Sequence, residues 1–84
     1  MKLLVYAIYD KAVEAYTRPF FVQAPGQAVR LFNDEVNTVD SPMNKHAEDY
    51  SCFRLGEFDD ATGEFNTGEP VCVARGHEVL AKEQ

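Results

Sequence analysis

The sequence YSCFRLGEFDDATGEF, residues 50–65, is the most informative part of the chain because it holds a strand, a turn and a returning strand in one short segment. Phe53 and Leu55 favour a β-strand, and residues 59–63 (DDATG) are typical of a turn. Gly63 is the key position, because a short hairpin loop commonly needs a residue at positive φ and glycine adopts that conformation without a Cβ penalty. The stretch therefore predicts a β-hairpin.

The segments before the hairpin predict two strands joined by a loop. Lys2 to Tyr9 reads KLLVYAIY, almost continuously apolar and rich in β-forming residues, which is typical of a central strand. Arg18 to Gln23 reads RPFFVQ and predicts a second strand, with Pro19 at its beginning or at an unpaired edge position because proline has no N–H to donate. Asp10 to Thr17 is polar and mixed, and we expect a loop there.

A single helix is predicted from about Pro25 to Asn37. Pro25 suits the first turn, where a missing N–H leaves no helical hydrogen bond unmade, and the DSP sequence at residues 40–42 makes continuation unfavourable. Apolar residues recur at spacings of three and four, which places one face of the helix against a sheet. The predicted buried stripe consists of Val29, Phe32, Val36 and Val39, widened by Ala28 and Leu31.

The segments that flank the hairpin show weaker patterns. Ser41 to Asp49 has no periodicity, and we expect a loop. After the turn, Gly68 and Pro70 interrupt the returning strand before a short apolar run at Val71 to Ala74, so that one bulged strand and two separate strands are both open. Gly76 to Gln84 is expected to be a frayed tail or one helical turn.

These elements predict one α+β domain over residues 1–84, with 76–84 as a flexible tail. The expected architecture is a small, mostly antiparallel sheet of about four strands in the order ββαββ, with one helix packed on one face. A single helix cannot cover both faces of such a sheet, and Lys2 to Tyr9 is apolar on both. We therefore expect a homodimer in which two copies bury their uncovered faces or pair their edges.

The charge distribution limits the classes of partner. Fourteen acidic residues outnumber eight basic ones and give a formal net charge of -6, which argues against coating nucleic acid by charge alone. The acidity belongs to the second half: residues 1–42 hold four basic and five acidic residues, whereas residues 43–84 hold four and nine. Most of this acidity surrounds the hairpin.

Catalytic, metal and membrane functions find little support in the sequence. Cys52 and Cys72 match no zinc-site spacing, and Ala61 stands where a calcium loop would need an oxygen ligand. His46 and His77 have no plausible nucleophile beside them in the sequence. No apolar run reaches the roughly 20 residues that span a bilayer, and the N-terminus lacks signal-peptide features. We expect a cytosolic, non-enzymatic protein without cofactor or metal, and with reduced cysteines.

Three blocks, KLLVYAIYD, RPFF and KHAEDYSCFRLGEFDDATGEF, follow one another in this chain. In this order they resemble the small non-structural protein of gokushoviruses, the tailless single-stranded DNA phages of the Microviridae. The resemblance covers roughly residues 1–66 and is most specific from His46 to Gly63. It implies a phage protein of the host bacterial cytoplasm that acts in viral DNA replication, in the switch to single-stranded genome synthesis. This role could use single-stranded DNA binding or contacts with a phage replication protein, and no functional positions come with it.

The rival interpretation is an interaction module that binds a phage or host protein through a sheet edge or the acidic hairpin, without direct DNA binding. If DNA is bound, phosphate will avoid the acidic hairpin. A single-strand binder needs cations together with aromatic rings on which bases stack, although most rings of so small a chain are expected in its core. The candidate DNA contacts are therefore the cations of the less acidic half with two nearby tyrosines: Lys2, Lys11, Arg18, Arg30, Tyr9 and Tyr16.

Overall fold

The computed structural model describes residues 1–81, which form one antiparallel sheet and three helices. The strands are β1 (Lys2–Asp10), β2 (Ala15–Tyr16), β3 (Phe20–Val22), β4 (Tyr50–Asp59) and β5 (Glu64–Arg75). The helices are α1 (Pro25–Val36), α2 (Pro42–Lys45) and α3 (Gly76–Val79), and a 3-10 turn spans Ala47–Asp49.

Strand β1 lies at the centre of the sheet, as its apolar sequence predicted. β4 pairs with β1 along its whole length, and β5 pairs with β4 as the outermost strand. β2 and β3 share the other edge of β1, where β2 lies opposite Tyr9 and β3 lies opposite Val5. The gap between these two short strands is held by Thr17, whose N–H donates to the Ile8 carbonyl at 2.7 Å and whose hydroxyl accepts from the Ile8 N–H at 3.0 Å.

One face of the sheet is covered by all three helices. Tyr6 and Ile8 of β1 and Cys52 of β4 are buried on this face against Phe32 and other α1 side chains. Met43 of α2, Ala47 of the 3-10 turn and Val79 of α3 belong to the same cluster. Alternate residues of a strand point to opposite faces, so the remaining side chains of β1 point away from the helices.

Bulges interrupt the sheet at three places and bend it. Leu55 is an extra residue on β4 opposite β1, Val73 is an extra residue on β5, and residues 68–70 form a longer interruption on β5. Gly56 lies beside the first and third of these with a φ of 154°. A Cβ there would overlap the Asn66 carbonyl oxygen and lie 2.8 Å from the Thr67 Cα, so this position requires glycine.

The predicted hairpin is confirmed. Gly63 has a φ of 78°, and its N–H donates to the Asp59 carbonyl at 2.7 Å. The side chain of Asp59 also accepts from the Ala61 N–H at 2.9 Å, which fixes the turn. The returning strand is continuous, so the first of the two alternatives holds: Glu64–Arg75 is one bulged strand.

The order ββαββ is only partly right, because the segments expected to be loops contain further elements. Residues 10–17 include β2, which adds a strand before the helix. Residues 41–49 include α2 and the 3-10 turn, because Ser41 caps α2 by accepting from the Met43 N–H at 3.1 Å. The observed order is therefore βββ, two helices, a 3-10 turn, ββ and a final helix.

The predicted helix is confirmed to within one residue at its end, but its buried stripe is narrower than expected. Ala28, Phe32 and Val36 are buried, whereas Leu31 and Val39 are exposed. Val39 lies beyond the helix, which ends at Val36, so the helical spacing does not extend to it. Leu31 flanks the buried stripe and borders an open groove beside β3.

The C-terminal segment includes a helical turn, α3, which was one of the two alternatives for it. The side chain of Asn37, at the end of α1, holds this segment by donating to the Val79 carbonyl at 3.1 Å and accepting from the Ala81 N–H at 2.7 Å. The last part of the predicted flexible tail, residues 82–84, lies outside the described residues.

Candidate functional site: an aromatic face of the sheet

The face of the sheet that points away from the helices carries a concentration of aromatic rings. The strand register assigns each ring to this face, because cross-strand partners lie on the same side. Leu3, Val5, Ala7 and Tyr9 of β1 define the face, and their partners on the neighbouring strands extend it. The six rings of this aromatic face are Tyr9, Tyr16, Phe21, Phe53, Phe58 and Phe65.

Three of these rings form a group that we call the tyrosine cluster: Tyr9, Tyr16 and Phe53. Their ring centroids are 4.8 Å apart for Tyr9 and Tyr16, 5.5 Å for Tyr16 and Phe53, and 6.2 Å for Tyr9 and Phe53. Tyr16 and Phe53 come from strands on opposite sides of β1, about 10 Å apart, so the two rings lean toward each other. Ala7 beneath them is fully buried, although the helices cover the other face.

The other three rings form the hairpin cluster: Phe21, Phe58 and Phe65. Their centroids are separated by 4.7 Å for Phe58 and Phe65, 5.6 Å for Phe21 and Phe58, and 6.3 Å for Phe21 and Phe65. Phe21 and Phe65 belong to strands that are three spacings apart, roughly 14 Å in a flat sheet. The rings therefore converge above β1 and β4, and the neighbouring Val5 is only 2% exposed.

The outer ring surfaces remain open to solvent. Phe65 is 59% exposed, Phe21 is 46% exposed and Tyr16 is 43% exposed, whereas Tyr9, Phe53 and Phe58 are half-buried. Contiguous exposed apolar surface of this kind marks interaction sites more often than isolated exposed residues do. The half-buried rings contribute packing that stabilises the fold, whereas the three exposed rings leave surface open to a ligand.

Acidic side chains are absent from the paired positions of this face within the described sheet. The hairpin carboxylates lie on the other side: Glu57 lies opposite Leu4, and Asp59 lies opposite both Lys2 and Glu64. Each of these positions shares the side of Tyr6 rather than that of Tyr9. The paired positions of the aromatic face therefore carry none of the acidic side chains behind the net charge of -6, although Phe65 also borders the groove lined by Glu57, Asp59 and Glu64.

The two predicted lysines lie in different parts of the molecule. Lys2 is on the opposite face and lines a groove with the carboxylates of Glu57, Asp59 and Glu64. Lys11 lies in the turn after β1, where its N–H donates to the Asp49 carbonyl at 2.8 Å. Lys2 is therefore separated from the tyrosines, whereas Lys11 belongs to the turn that joins the strands of Tyr9 and Tyr16.

The two predicted arginines lie along the edge of the sheet formed by β2 and β3. Arg18 is exposed in the gap between those strands. Arg30, on α1, lines a groove together with Leu3 and Phe21, next to the hairpin cluster. The sequence analysis missed a third arginine, Arg75, which lies opposite Ser51 and so on the side of Tyr9.

The structure brings Tyr9 and Tyr16 together, but four further rings of the site were not selected from the sequence: Phe21, Phe53, Phe58 and Phe65. A signal for two of them was present. Once Gly63 fixes the hairpin turn, Phe58 and Phe65 must lie opposite each other. The contribution of Phe21 depends on the pairing of β3 with β1, which no local pattern indicates.

The remaining chemistry of the described residues is limited. Within residues 1–81 there is no group of three or more His, Cys, Asp or Glu side chains that could hold a metal ion. Burial raises the pKa of the Cys52 thiol to about 11, with a smaller contribution from Cys72. The pKa of Tyr50 is also raised, mainly by burial and to a smaller extent by the negative charge of Asp10. No helix among the described residues is both long and apolar enough to cross a membrane.

Comparison with known protein families assigns the chain to one family. Residues 3–79 match the family described as Phage ORF5 protein, and since this match covers nearly the whole sequence, the chain belongs to that family. Searches of curated proteins and of solved structures find no match.

Proposed function

We propose that this phage protein binds single-stranded DNA through its aromatic face, without catalysis, during viral genome replication in the host bacterial cytoplasm. The observation that carries the proposal is the convergence of six rings on a face that lacks acidic side chains at its paired positions. Single-strand binders combine aromatic platforms with cations that follow the phosphate backbone.

The exposed rings supply the stacking surface in this proposal. Tyr16, Phe21 and Phe65 each present a large part of one ring to solvent, and base stacking on such rings is worth about 1–3 kcal/mol per base. Every base has a π-face, so the binding tolerates many sequences. Bases of a duplex are already stacked on one another, and we therefore expect single strands to bind in preference to duplexes.

Arginines at the margins of the aromatic face supply the contacts to phosphate. Arg18 lies between β2 and β3, Arg30 lies on α1 beside β3, and Arg75 lies on β5. With about three phosphate contacts, the logarithm of the binding constant should fall with the logarithm of salt concentration at a slope of about -2. Such a shallow slope distinguishes stacking-dominated binding from coating by charge.

The test is fluorescence anisotropy of a labelled oligothymidylate, repeated with a duplex of the same length and over a range of salt concentrations. Phe65→Leu keeps an apolar side chain but removes the ring, and it should weaken binding by about tenfold. Val71→Ala is the matched control, because Val71 is 58% exposed on the same strand but lies opposite Arg54, on the side of Tyr6. Equal affinity for single strands and duplexes, or equal effects of the two variants, would contradict the proposal.

The interaction-module hypothesis gives different outcomes in the same experiment. Absence of binding to every oligonucleotide at low salt would favour a protein partner for the aromatic face.

The homodimer stays a prediction and has two forms. A dimer that buries the rings must dissociate when DNA binds, whereas a dimer through the β5 edge leaves the rings free. Light scattering with and without oligothymidylate distinguishes these forms.

A further inference from the structure

We infer that the aromatic face holds two separate base-stacking subsites, one at each cluster, and that a single strand crosses the sheet diagonally to occupy both. This inference rests on the proposed function. Its first support is the grouping of the rings. Each ring of the tyrosine cluster contacts the other two, and the same holds for the hairpin cluster.

The second support is the distance between the exposed outer rings. Tyr16 lies opposite Tyr9, and Phe65 lies in line with Leu3 through Phe58. Tyr9 and Leu3 are six residues apart on β1, which is roughly 20 Å along the strand direction. The outer rings also belong to opposite edges of the sheet, about 14 Å apart across the strands. The diagonal between their backbone positions is therefore about 24 Å, and the rings lie closer together because they lean inward.

The third support is the surface between the two clusters. Along this diagonal the positions on β1 are Val5 and Ala7, which are buried, and the position on β4 opposite Val5 is Gly56. Phe21 flanks Val5 and Phe53 flanks Ala7, but none of the ring pairs within residues 1–81 joins one cluster to the other, so the two clusters are separate stacking surfaces. A stacked strand that rises about 3.4 Å per nucleotide needs on the order of seven nucleotides to cover the diagonal, and an extended strand needs fewer.

Two subsites on one strand give a length dependence that a single site lacks. A short oligonucleotide occupies one cluster at a time. A strand that reaches both clusters gains from the high effective concentration of its second segment once the first is bound. We therefore expect affinity to rise steeply at about six to eight nucleotides and only slowly beyond that.

The experiment compares oligothymidylates of about two and about ten nucleotides, because two nucleotides are shorter than both the diagonal and the roughly 14 Å between the Tyr16 and Phe21 positions along β1. The variants are Tyr16→Leu, in the tyrosine cluster, and Phe65→Leu, in the hairpin cluster. Each should weaken binding of the longer strand by about tenfold or more, because only one subsite remains. Each should weaken binding of the shorter strand by about twofold at most, because it still finds the intact cluster.

Ring resonances in NMR titrations give a second readout. The shorter strand should shift the rings of the two clusters with two independent isotherms, whereas the longer strand should shift them with one shared isotherm. Equal variant effects at both lengths, together with a shared isotherm for the shorter strand, would overturn the two-subsite arrangement and leave DNA binding intact. Absence of binding at either length would instead remove the proposed function. Circular dichroism of each variant confirms that it is folded.

Discussion

The two faces of the sheet are built from the same strands but are covered in different ways. On the helix-covered face, Phe32 and Val36 pack on Tyr6 and Ile8, and these side chains are almost completely removed from water. On the aromatic face, Val5 and Ala7 are equally buried, although the cover comes from rings of neighbouring strands. The side chains that lie directly on the sheet are therefore closely packed on both faces.

The difference lies in the outer layer. A helix covers a sheet and presents its polar side to solvent, whereas a layer of rings presents more apolar surface. Phe21 and Phe65 remain about half exposed for this reason. The aromatic face therefore has enough cover to fold, and its outer surface is suited to a ligand. The following predictions test that division.

The largest effect is expected for Phe32→Ala on the helix-covered face. Phe32 is fully enclosed between α1 and the sheet, so truncation should leave a cavity and lower the free energy of unfolding by about 3–5 kcal/mol. Urea denaturation measures the change. A midpoint equal to that of the unmodified protein would show that the helix does not seal this face.

The reactivity of the two cysteine thiols tests the difference in cover between the two faces. Cys52 is buried on the helix-covered face with a pKa of about 11, whereas Cys72 is partly exposed and lies opposite Phe53 on the aromatic face. At pH 8 a raised pKa leaves Cys52 almost entirely protonated, and its burial keeps a reagent away, so a thiol reagent should modify Cys72 first.

Cys72→Ser and Cys52→Ser identify which thiol reacts. If the proposed function is correct, saturating oligothymidylate should slow the modification of Cys72 and leave Cys52 unchanged. Equal reaction rates for the two thiols in the folded protein would contradict the difference in cover.

Gly56→Ala tests the bend that both faces share. The positive φ and the close approach of Asn66 and Thr67 leave no room for a methyl group, and we expect a loss of about 2 kcal/mol or more. Gly26→Ala is the control, because nothing lies within 4 Å of the added atom and alanine favours the helix. Comparable losses in the two variants would mean that the bulge does not constrain position 56.

The smallest effect on stability is expected for Phe65→Ala. The ring is more than half exposed at the end of the hairpin cluster, so its removal should change the free energy of unfolding by about 1 kcal/mol or less. The same variant should impair DNA binding if the proposal holds. A loss as large as that of Phe32→Ala would make the hairpin cluster a second core and would argue against a free surface.

The parts of the fold that local chemistry determines could be predicted from the sequence. Gly63 fixed the hairpin turn because few residues tolerate its φ, and Pro25 with the spacing of Phe32 and Val36 located the helix. The two faces of β1 could not be told apart, because Leu4, Tyr6 and Ile8 are no more apolar than Leu3, Val5 and Ala7. A strand that is apolar on both sides gives no alternation from which to assign them.

The candidate site could be predicted from the sequence only in part, for a related reason. Tyr9 and Tyr16 were selected, and they lie 4.8 Å apart. Arg75 was overlooked because it belongs to the acidic half of the chain, and charge along the sequence does not show which face of the sheet bears it. The meeting of Phe21 with Phe65 depends on pairing between distant segments. Register across strands decides that contact, and it is a property of the folded sheet.

The interruption of β5 has a consequence for self-assembly. β5 is an outermost strand, and an open edge next to exposed rings is a template for the stacking of further chains into fibrils. The insertion at residues 68–70 divides β5 into two runs of four and five residues, and Pro70 within it offers no N–H. Neither run provides a long straight ladder for another chain. Residues 68–70 therefore shorten the straight edge along which another chain could pair with β5.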